Sequence, residues 1–197
     1  MLDFLNHFFS AVCGQYPDHT WAPGGILFPC CQRCTGLYVG AAIATLLHWW
    51  LKPRLTARFL EAHGVFLLVM APFGFHWVQQ GPILRTITGV LFGFAVVTFL
   101  RAPLERSAEL SSAMGKGPSD LPGRPTALRA YAAGLAAAIL LLPILAARGG
   151  ELAAAILSGT AFCGALALGA LALADAGVAL AAVIRFVRRM AVAPTRP

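Results

Sequence analysis

The sequence predicts an all-α integral membrane protein with about five transmembrane helices, its N-terminus outside and its C-terminus in the cytoplasm. The composition, the length of the apolar runs and the placement of the basic residues predict this class. Of the 197 residues, 58% are hydrophobic and 12% are charged, whereas soluble domains have about 45–50% and about 25%. A chain this short keeps much of its surface exposed, so lipid must solvate most of the apolar surface. The composition excludes disordered, collagen-like and coiled-coil chains and ordinary cytosolic enzymes.

Five apolar runs are long enough to cross a bilayer, which requires about 20 residues. They are residues 35–51, 60–78, 84–100, 130–147 and 152–174. The last run continues beyond Asp175 to Ile184 and ends in a basic segment. One straight helix through all of it would be much longer than the hydrocarbon core, which is about 30 Å thick. We therefore expect the extension to be an interfacial helix with its basic end among the lipid headgroups.

The Lys and Arg residues predict the orientation of these spans. In a five-span protein, one side of the membrane holds the connection after span one, the connection after span three and the segment after span five. All Lys and Arg residues lie on that side except Arg33, Arg85 and Arg148. Lys-rich and Arg-rich loops stay in the cytoplasm, so the N-terminus is expected on the outer side of the membrane. The membrane itself is expected to be the inner (cytoplasmic) membrane. The net charge of +7 then reflects topology and anionic lipid headgroups, with the lipid bilayer as partner. No nucleic-acid motif is present, and no nucleic-acid partner is expected.

Four segments follow from this organisation. Residues 1–34 form an exocytoplasmic amphipathic segment with a cysteine cluster, and residues 35–100 form a three-span membrane half. Residues 101–129, rich in Gly, Pro and small polar residues in their second half, are expected to be a cytoplasmic flexible linker. Residues 130–197 form an Ala-rich two-span half that ends in the basic interfacial helix.

Cysteines immediately before span one are the main candidates for chemistry. Cys13, Cys31 and Cys34 precede a long helix, and the last two form a CxxC pair, a spacing that suits metal chelation or a reactive disulfide. A metal site for zinc or copper, a structural disulfide and a thiol-redox pair are all compatible with this pattern. A complete zinc site needs further ligands, for which His7 and His19 are candidates. Thr35 is expected at the N-cap or in the first turn, and Arg33 adds a positive neighbour that favours thiolates.

A second polar group lies at the turn between spans two and three, on the same predicted side as the cysteines. It contains His76, Gln79 and Arg85. Arg and His at the edge of the hydrocarbon are costly unless they snorkel, pair or line a wet cavity. We consider two roles for them, interfacial anchoring and support of the cysteine site.

The motif TGxxxG occurs in both span one and span three. Its glycines are Gly36 and Gly40 in the first copy and Gly89 and Gly93 in the second. Small residues four apart allow helices to approach at backbone distance. Because both spans run inward, they are predicted to pack as a parallel pair. This packing would bring together Arg33, Cys34 and Arg85 at the outer rim.

Residues 10–100 resemble the prokaryotic membrane family DUF2085. The resemblance is carried by Cys13-Gly14-Gln15-Tyr16-Pro17, by Pro29-Cys30-Cys31-Gln32-Arg33-Cys34-Thr35-Gly36-Leu37-Tyr38-Val39-Gly40, and by the later Gln79 or Gln80, Arg85 and Thr88-Gly89. That family is similar in its Cys-His-Gln-x-Pro element, but this chain has Gly14 at the histidine and His19-Thr20 in place of an Arg-Ser pair. The acidic residue that the resemblance leads us to expect near the turn between spans two and three is absent. The resemblance implies site positions and no particular reaction.

The leading hypothesis is a small inner-membrane protein with an outward-facing, cysteine-based metal-binding or thiol-redox site formed by Cys13, Cys31 and Cys34. Supporting residues are Arg33, Thr35, His76, Gln79 and Arg85. The alternative is a non-catalytic accessory or structural subunit of a larger membrane complex, with other membrane subunits as partners. A transporter is disfavoured because the spans lack a buried carboxylate. The sequence leaves open whether the protein is an enzyme.

Overall fold

The computed structural model of the protein describes residues 2–74, 77–113 and 125–192, and most of these residues form α-helices. The α-helices are α1 (Leu2–Ser10), α2 (Gln32–Leu51), α3 (Ala57–Gly74), α4 (Pro82–Ala113), α5 (Pro125–Arg148) and α6 (Glu151–Val192). Between α1 and α2 lie two single-turn 3₁₀ helices and one isolated antiparallel bridge that joins Thr20 to Cys31. The predicted all-α membrane class is confirmed.

Four helices of the described chain are long and apolar enough to cross a bilayer: α2, α4, α5 and α6. The second predicted span coincides with α3, which has 18 residues and carries Arg58, Glu61 and His63 in its first two turns. The five-span count and the orientation in the membrane remain predictions.

Helix α3 connects two parallel helices, α2 and α4. Helices α2 and α4 run parallel, because Gly36 faces Thr86 and Gly40 faces Val90. Near the end of α2, the ring of His48 lies 6.2 Å from the Phe59 ring at the start of α3. At the other end of α2, Arg33 donates a hydrogen bond to the Phe73 carbonyl oxygen. Helix α3 therefore runs antiparallel to α2, and it packs mainly against α4.

The remaining two helices continue this alternation. Gly134 near the start of α5 lies against Leu47 near the end of α2, so α5 runs antiparallel to α2. Gly164 of α6 lies against the Tyr38 backbone in the first half of α2, and α6 runs parallel to α2. Helices α2 to α6 thus form a bundle of alternating direction with one common apolar core.

The short helix α1 packs on the end of this bundle where α2 begins. Its Leu5 and Phe9 are buried, and the Phe8 ring makes an edge contact with Phe162 of α6 at 4.9 Å. Nine residues are too few to cross a bilayer. Helix α1 therefore serves to attach the N-terminal segment to the bundle.

Three helices, α4, α5 and α6, are longer than the sequence predicts. Helix α4 continues through Pro103 to Ala113, and α5 begins at Pro125, so residues 101–113 and 125–129 of the predicted linker are helical, while residues 114–124 lie outside the described residues. Helix α6 runs without interruption through Asp175 to Val192, so the predicted interfacial extension is part of the last span's own helix. Its Ala-rich and Leu-rich sequence holds no proline, which favours continuation. At 42 residues, α6 is about 63 Å long.

Candidate metal centre

Three cysteines converge where the N-terminal segment meets the start of α2. The sulfur atoms of Cys13, Cys31 and Cys34 all lie within 4.8 Å of one another, and all three are free thiols. Cys31 is the N-cap of α2 and Cys34 lies in its first turn. Because residues three apart on a helix face the same side, these two side chains lie next to each other. Cys13 comes from the loop that follows α1. The structure thus brings together the three cysteines that the sequence singles out.

Gln15 holds Cys13 in this position. Its side-chain amide donates hydrogen bonds to the carbonyl oxygens of Asn6 at 2.8 Å and Pro29 at 2.7 Å. This clamp ties the end of α1 to the segment that leads into Cys31. Gln15 adopts a φ of 48°, in the left-handed region that non-glycine residues rarely occupy. Gln15 is not among the site residues predicted from the sequence.

Two backbone N–H groups point at the Cys13 sulfur atom. The Cys31 N–H donates to it at 3.3 Å and the Gln15 N–H at 3.5 Å. Hydrogen bonds from the Cys31 and Cys34 thiols, aided by these backbone donors, hold the pKa of the Cys13 thiol well below its ordinary value. Donation to Cys13 in turn raises the pKa of Cys31. These hydrogen bonds favour the thiolate form of Cys13.

Cys30 lies beside the group but outside it. Its fully buried sulfur atom lies 3.4 Å from the Thr35 hydroxyl, and burial raises the pKa of the Cys30 thiol to about 12. Thr35 also donates to the Cys31 carbonyl oxygen at 3.1 Å. Of the two positions predicted for Thr35, it occupies the first turn of α2, since Cys31 is the N-cap.

A cavity of about 860 Å³ with both polar and apolar lining adjoins the three cysteines. Arg33 forms part of its wall and donates to the Phe73 carbonyl oxygen at 3.0 Å and to the Gln80 side-chain oxygen at 2.9 Å. Gln79 and Arg85 line the same cavity, so these supporting residues share one space with the cysteines. His76 lies outside the described residues.

Neither histidine proposed as an additional ligand joins the cysteines. Within the described parts of the chain, the group of potential ligands consists of the three cysteines and does not include His7 or His19. His19 lines the cavity and packs against the Tyr16 ring. The protein therefore offers three sulfur ligands here.

The glycines of the repeated motif set the spacing of α2 and α4 beneath this site. A Cβ atom on Gly36 would overlap the Thr86 carbonyl oxygen, and one on Gly89 would overlap the Arg33 carbonyl oxygen. The pairs Gly40–Val90 and Gly93–Leu37 continue the close contact deeper in the bundle. This packing places Arg33 and Cys34 on α2 and Arg85 on α4 around one cavity.

A separate group of polar side chains, away from the cysteine site, is buried near the opposite end of α2. His48 is fully buried, with its Nε2 atom 3.1 Å from the Thr98 hydroxyl. The His63 Nδ1–H donates to the Phe59 carbonyl oxygen at 2.8 Å, so its Nε2 accepts a hydrogen bond from the Tyr131 hydroxyl at 2.9 Å. His48 is buried although it directly precedes two exposed tryptophans, Trp49 and Trp50. The group links four helices.

Four helices able to cross a bilayer, with three converging thiols at one end, define a multi-span membrane protein with a candidate metal centre. Residues 13–99 match the family described as "Predicted membrane protein (DUF2085)". The chain is also 33% identical over 98 residues to an uncharacterised protein of Methanothermobacter thermautotrophicus, an alignment covering 46% of this chain and 86% of that protein. The chain belongs to the DUF2085 family. No solved structure matches it.

Proposed function

We propose that this protein binds one zinc or copper ion through Cys13, Cys31 and Cys34. The observation that carries the proposal is the separation of the three sulfur atoms, which lie within 4.8 Å of one another. Sulfur atoms around a tetrahedral zinc ion are roughly 3.8 Å apart, given zinc–sulfur bonds of about 2.3 Å. Small side-chain rotations would bring the three thiols to that spacing.

The surroundings of Cys13 favour a metal ion over a structural disulfide. A disulfide joins two sulfur atoms and would leave the third thiol of the group unused. The N–H groups of Cys31 and Gln15 both point at the Cys13 sulfur, and such donors stabilise a thiolate, the form that binds metal. Hydrogen bonds to ligand atoms also fix their orientation.

The adjoining cavity supports a site with an exchangeable ligand. Three protein ligands leave one position of a tetrahedral ion open, which distinguishes catalytic zinc sites from closed structural ones. Here the cavity lined by Arg33, Gln79 and Arg85 meets the same three sulfur atoms. A water molecule or a small ligand entering through this cavity would complete the coordination.

We infer further that the site faces outward from the inner (cytoplasmic) membrane. The distribution of Lys and Arg supports this orientation, since the cytoplasmic side carries the excess. Lys52, Arg54 and Arg101 line the end of the bundle opposite to the cysteines. Soft thiolate ligands on the outer side suit zinc or copper(I).

Metal analysis of the protein purified in mild detergent tests the proposal. We expect about one zinc or copper ion per chain in the wild type and its loss in Cys34→Ser. The matched control is Cys163→Ser, which removes an exposed thiol of α6 outside the group and should leave the metal content unchanged. Metal-free wild-type protein, or equal metal content in both variants, would refute the proposal.

Thiol redox chemistry is the second candidate function. Cys31 and Cys34 form a CxxC pair at the N-terminus of α2, an arrangement that lowers thiol pKa values in redox proteins. Metal-free protein with a reversibly reducible Cys31–Cys34 disulfide would favour this function over metal binding. If the cysteine variants fold normally, contain neither metal nor disulfide and still co-purify with other membrane proteins, an accessory subunit would be favoured.

A further inference from the structure

A second and larger cavity opens at the end of the bundle opposite to the cysteines. Its volume is about 1080 Å³, and it lies between the α2–α3 connection, α4 and the C-terminal part of α6. Helix α2, of 20 residues, separates the two cavities by about 30 Å. This cavity takes no part in the proposed metal centre.

The cavity wall is strongly cationic. Among the described residues that line it, five carry a positive charge and one carries a carboxylate: Lys52, Arg54, Arg101, Arg106, Arg185 and Glu105. Glu105 lies 3.2 Å from Arg101 on the next turn of α4 and offsets that one charge. Positively charged residues thus outnumber negatively charged ones around this space, an arrangement that concentrates anions.

Much of the rest of the wall is apolar. Leu55, Leu60 and Phe99 line the side formed by the bundle, and Val178 lines the side formed by α6. Beyond this point α6 extends along the bundle end with exposed apolar side chains such as Leu180 and Val183. A cationic rim beside apolar walls matches the headgroup region of a membrane.

We propose that this cavity binds a phosphate group. Arginine presents a planar set of N–H donors that matches phosphate oxygens. Four of the five cations of the wall are arginines, and three of these lie on α4 and α6. The phosphate can belong to an anionic phospholipid headgroup, whose acyl chains would follow the apolar walls, or it can be free. Both sources share the same recognition by Arg106 and Arg185.

Lipid binding to the full-length chain in detergent tests this proposal. Native mass spectrometry is performed with phosphatidylglycerol, with diacylglycerol as a lipid lacking phosphate, and with inorganic phosphate as competitor. The variant Arg106→Gln/Arg185→Gln removes two cavity charges, and Arg58→Gln/Arg129→Gln removes two exposed charges outside the cavity lining. We expect phosphatidylglycerol, and not diacylglycerol, to bind at about one per chain. Affinity should fall roughly tenfold or more in the cavity variant and little in the control.

The arms of the experiment separate the two sources of phosphate. Displacement of phosphatidylglycerol by inorganic phosphate identifies free phosphate as a ligand, and its persistence identifies the lipid headgroup. The charge-preserving Arg106→Lys/Arg185→Lys variant should retain much of the binding and shows that folding is intact. Equal loss in the cavity variant and the charge-matched control, or binding unaffected by either, would overturn the proposal.

Discussion

Gly36 of α2 lies so close to α4 that a Cβ atom on it would overlap the carbonyl oxygen of Thr86. Thr86 is fully buried, and its hydroxyl accepts a hydrogen bond from the Trp21 indole N–H at 3.0 Å. Trp21 belongs to the segment between Cys13 and Cys31. This contact therefore connects the packing of two membrane helices to the loop that carries the cysteines.

Substitution of Gly36 by alanine should destabilise the bundle. The added methyl group meets backbone atoms of Thr86, which cannot rotate away, so α2 and α4 must separate. We expect the free energy of unfolding to fall by about 1–3 kcal/mol, the usual cost of overpacking a close contact. Chemical unfolding in detergent, followed by circular dichroism, measures this change.

Gly169→Ala provides the matched control for this substitution. Gly169 lies within α6 with open space around the position of a Cβ atom, so alanine there should leave stability unchanged or raise it by up to about 1 kcal/mol. Equal losses of stability in the two variants would show that the α2–α4 contact is not the cause.

Local sequence patterns predicted the parallel contact between α2 and α4, because TGxxxG identifies faces where backbones can meet. The three cysteines were likewise identified from their residue type and their position before a long helix. The extents of α4 and α6 were not predicted, since charged residues mark the edge of the hydrocarbon and do not end a helix. Gln15 could not be recognised as a clamp because its two partners, Asn6 and Pro29, are brought to it by the fold.

The buried group around His48 illustrates the same limit. A histidine beside two tryptophans has the composition of an interfacial belt, and only the packing of α4 against α2 places Thr98 next to it. Tyr131 reaches His63 over a separation of 68 residues. A sequence without an alignment gives no sign of such distant pairs.

Removal of the Tyr131 hydroxyl should weaken this group. Tyr131→Phe deletes the donor to His63 and the partner of Thr98 while keeping the buried ring. We expect a loss of about 1 kcal/mol of unfolding free energy, in the range of hydrogen bonds between membrane helices. Tyr16→Phe makes the same chemical change at an exposed ring and should change stability by less than about 0.5 kcal/mol. A loss as large at Tyr16 would contradict a specific role for Tyr131.

Gln15 is expected to control metal affinity without being a ligand. Gln15→Glu keeps the shape of the side chain but replaces the amide donor to Asn6 and Pro29 with a carboxylate oxygen, so the loop that carries Cys13 loosens. Metal affinity, measured by competition with a chelator, should fall about tenfold, as for other residues that orient ligands. Gln79→Glu adds the same charge to the cavity wall without breaking the clamp, and should have a smaller effect. Equal effects of the two substitutions would point to charge alone.

Alkylation distinguishes Cys30 from the three cysteines of the site. A thiolate is the reacting species, and burial raises the pKa of Cys30 to about 12, so at pH 8 on the order of one Cys30 thiol in ten thousand is ionised. Peptide mapping after iodoacetamide treatment of the folded, metal-free protein should show modification at Cys13, which lines the cavity, and none at Cys30 until the protein is unfolded. Added zinc should protect Cys13, Cys31 and Cys34 and leave the other two cysteines unchanged. Rapid modification of Cys30 in the folded protein would instead place its thiol at the cavity surface and would make it a competitor for the ligand position assigned to its neighbour, Cys31.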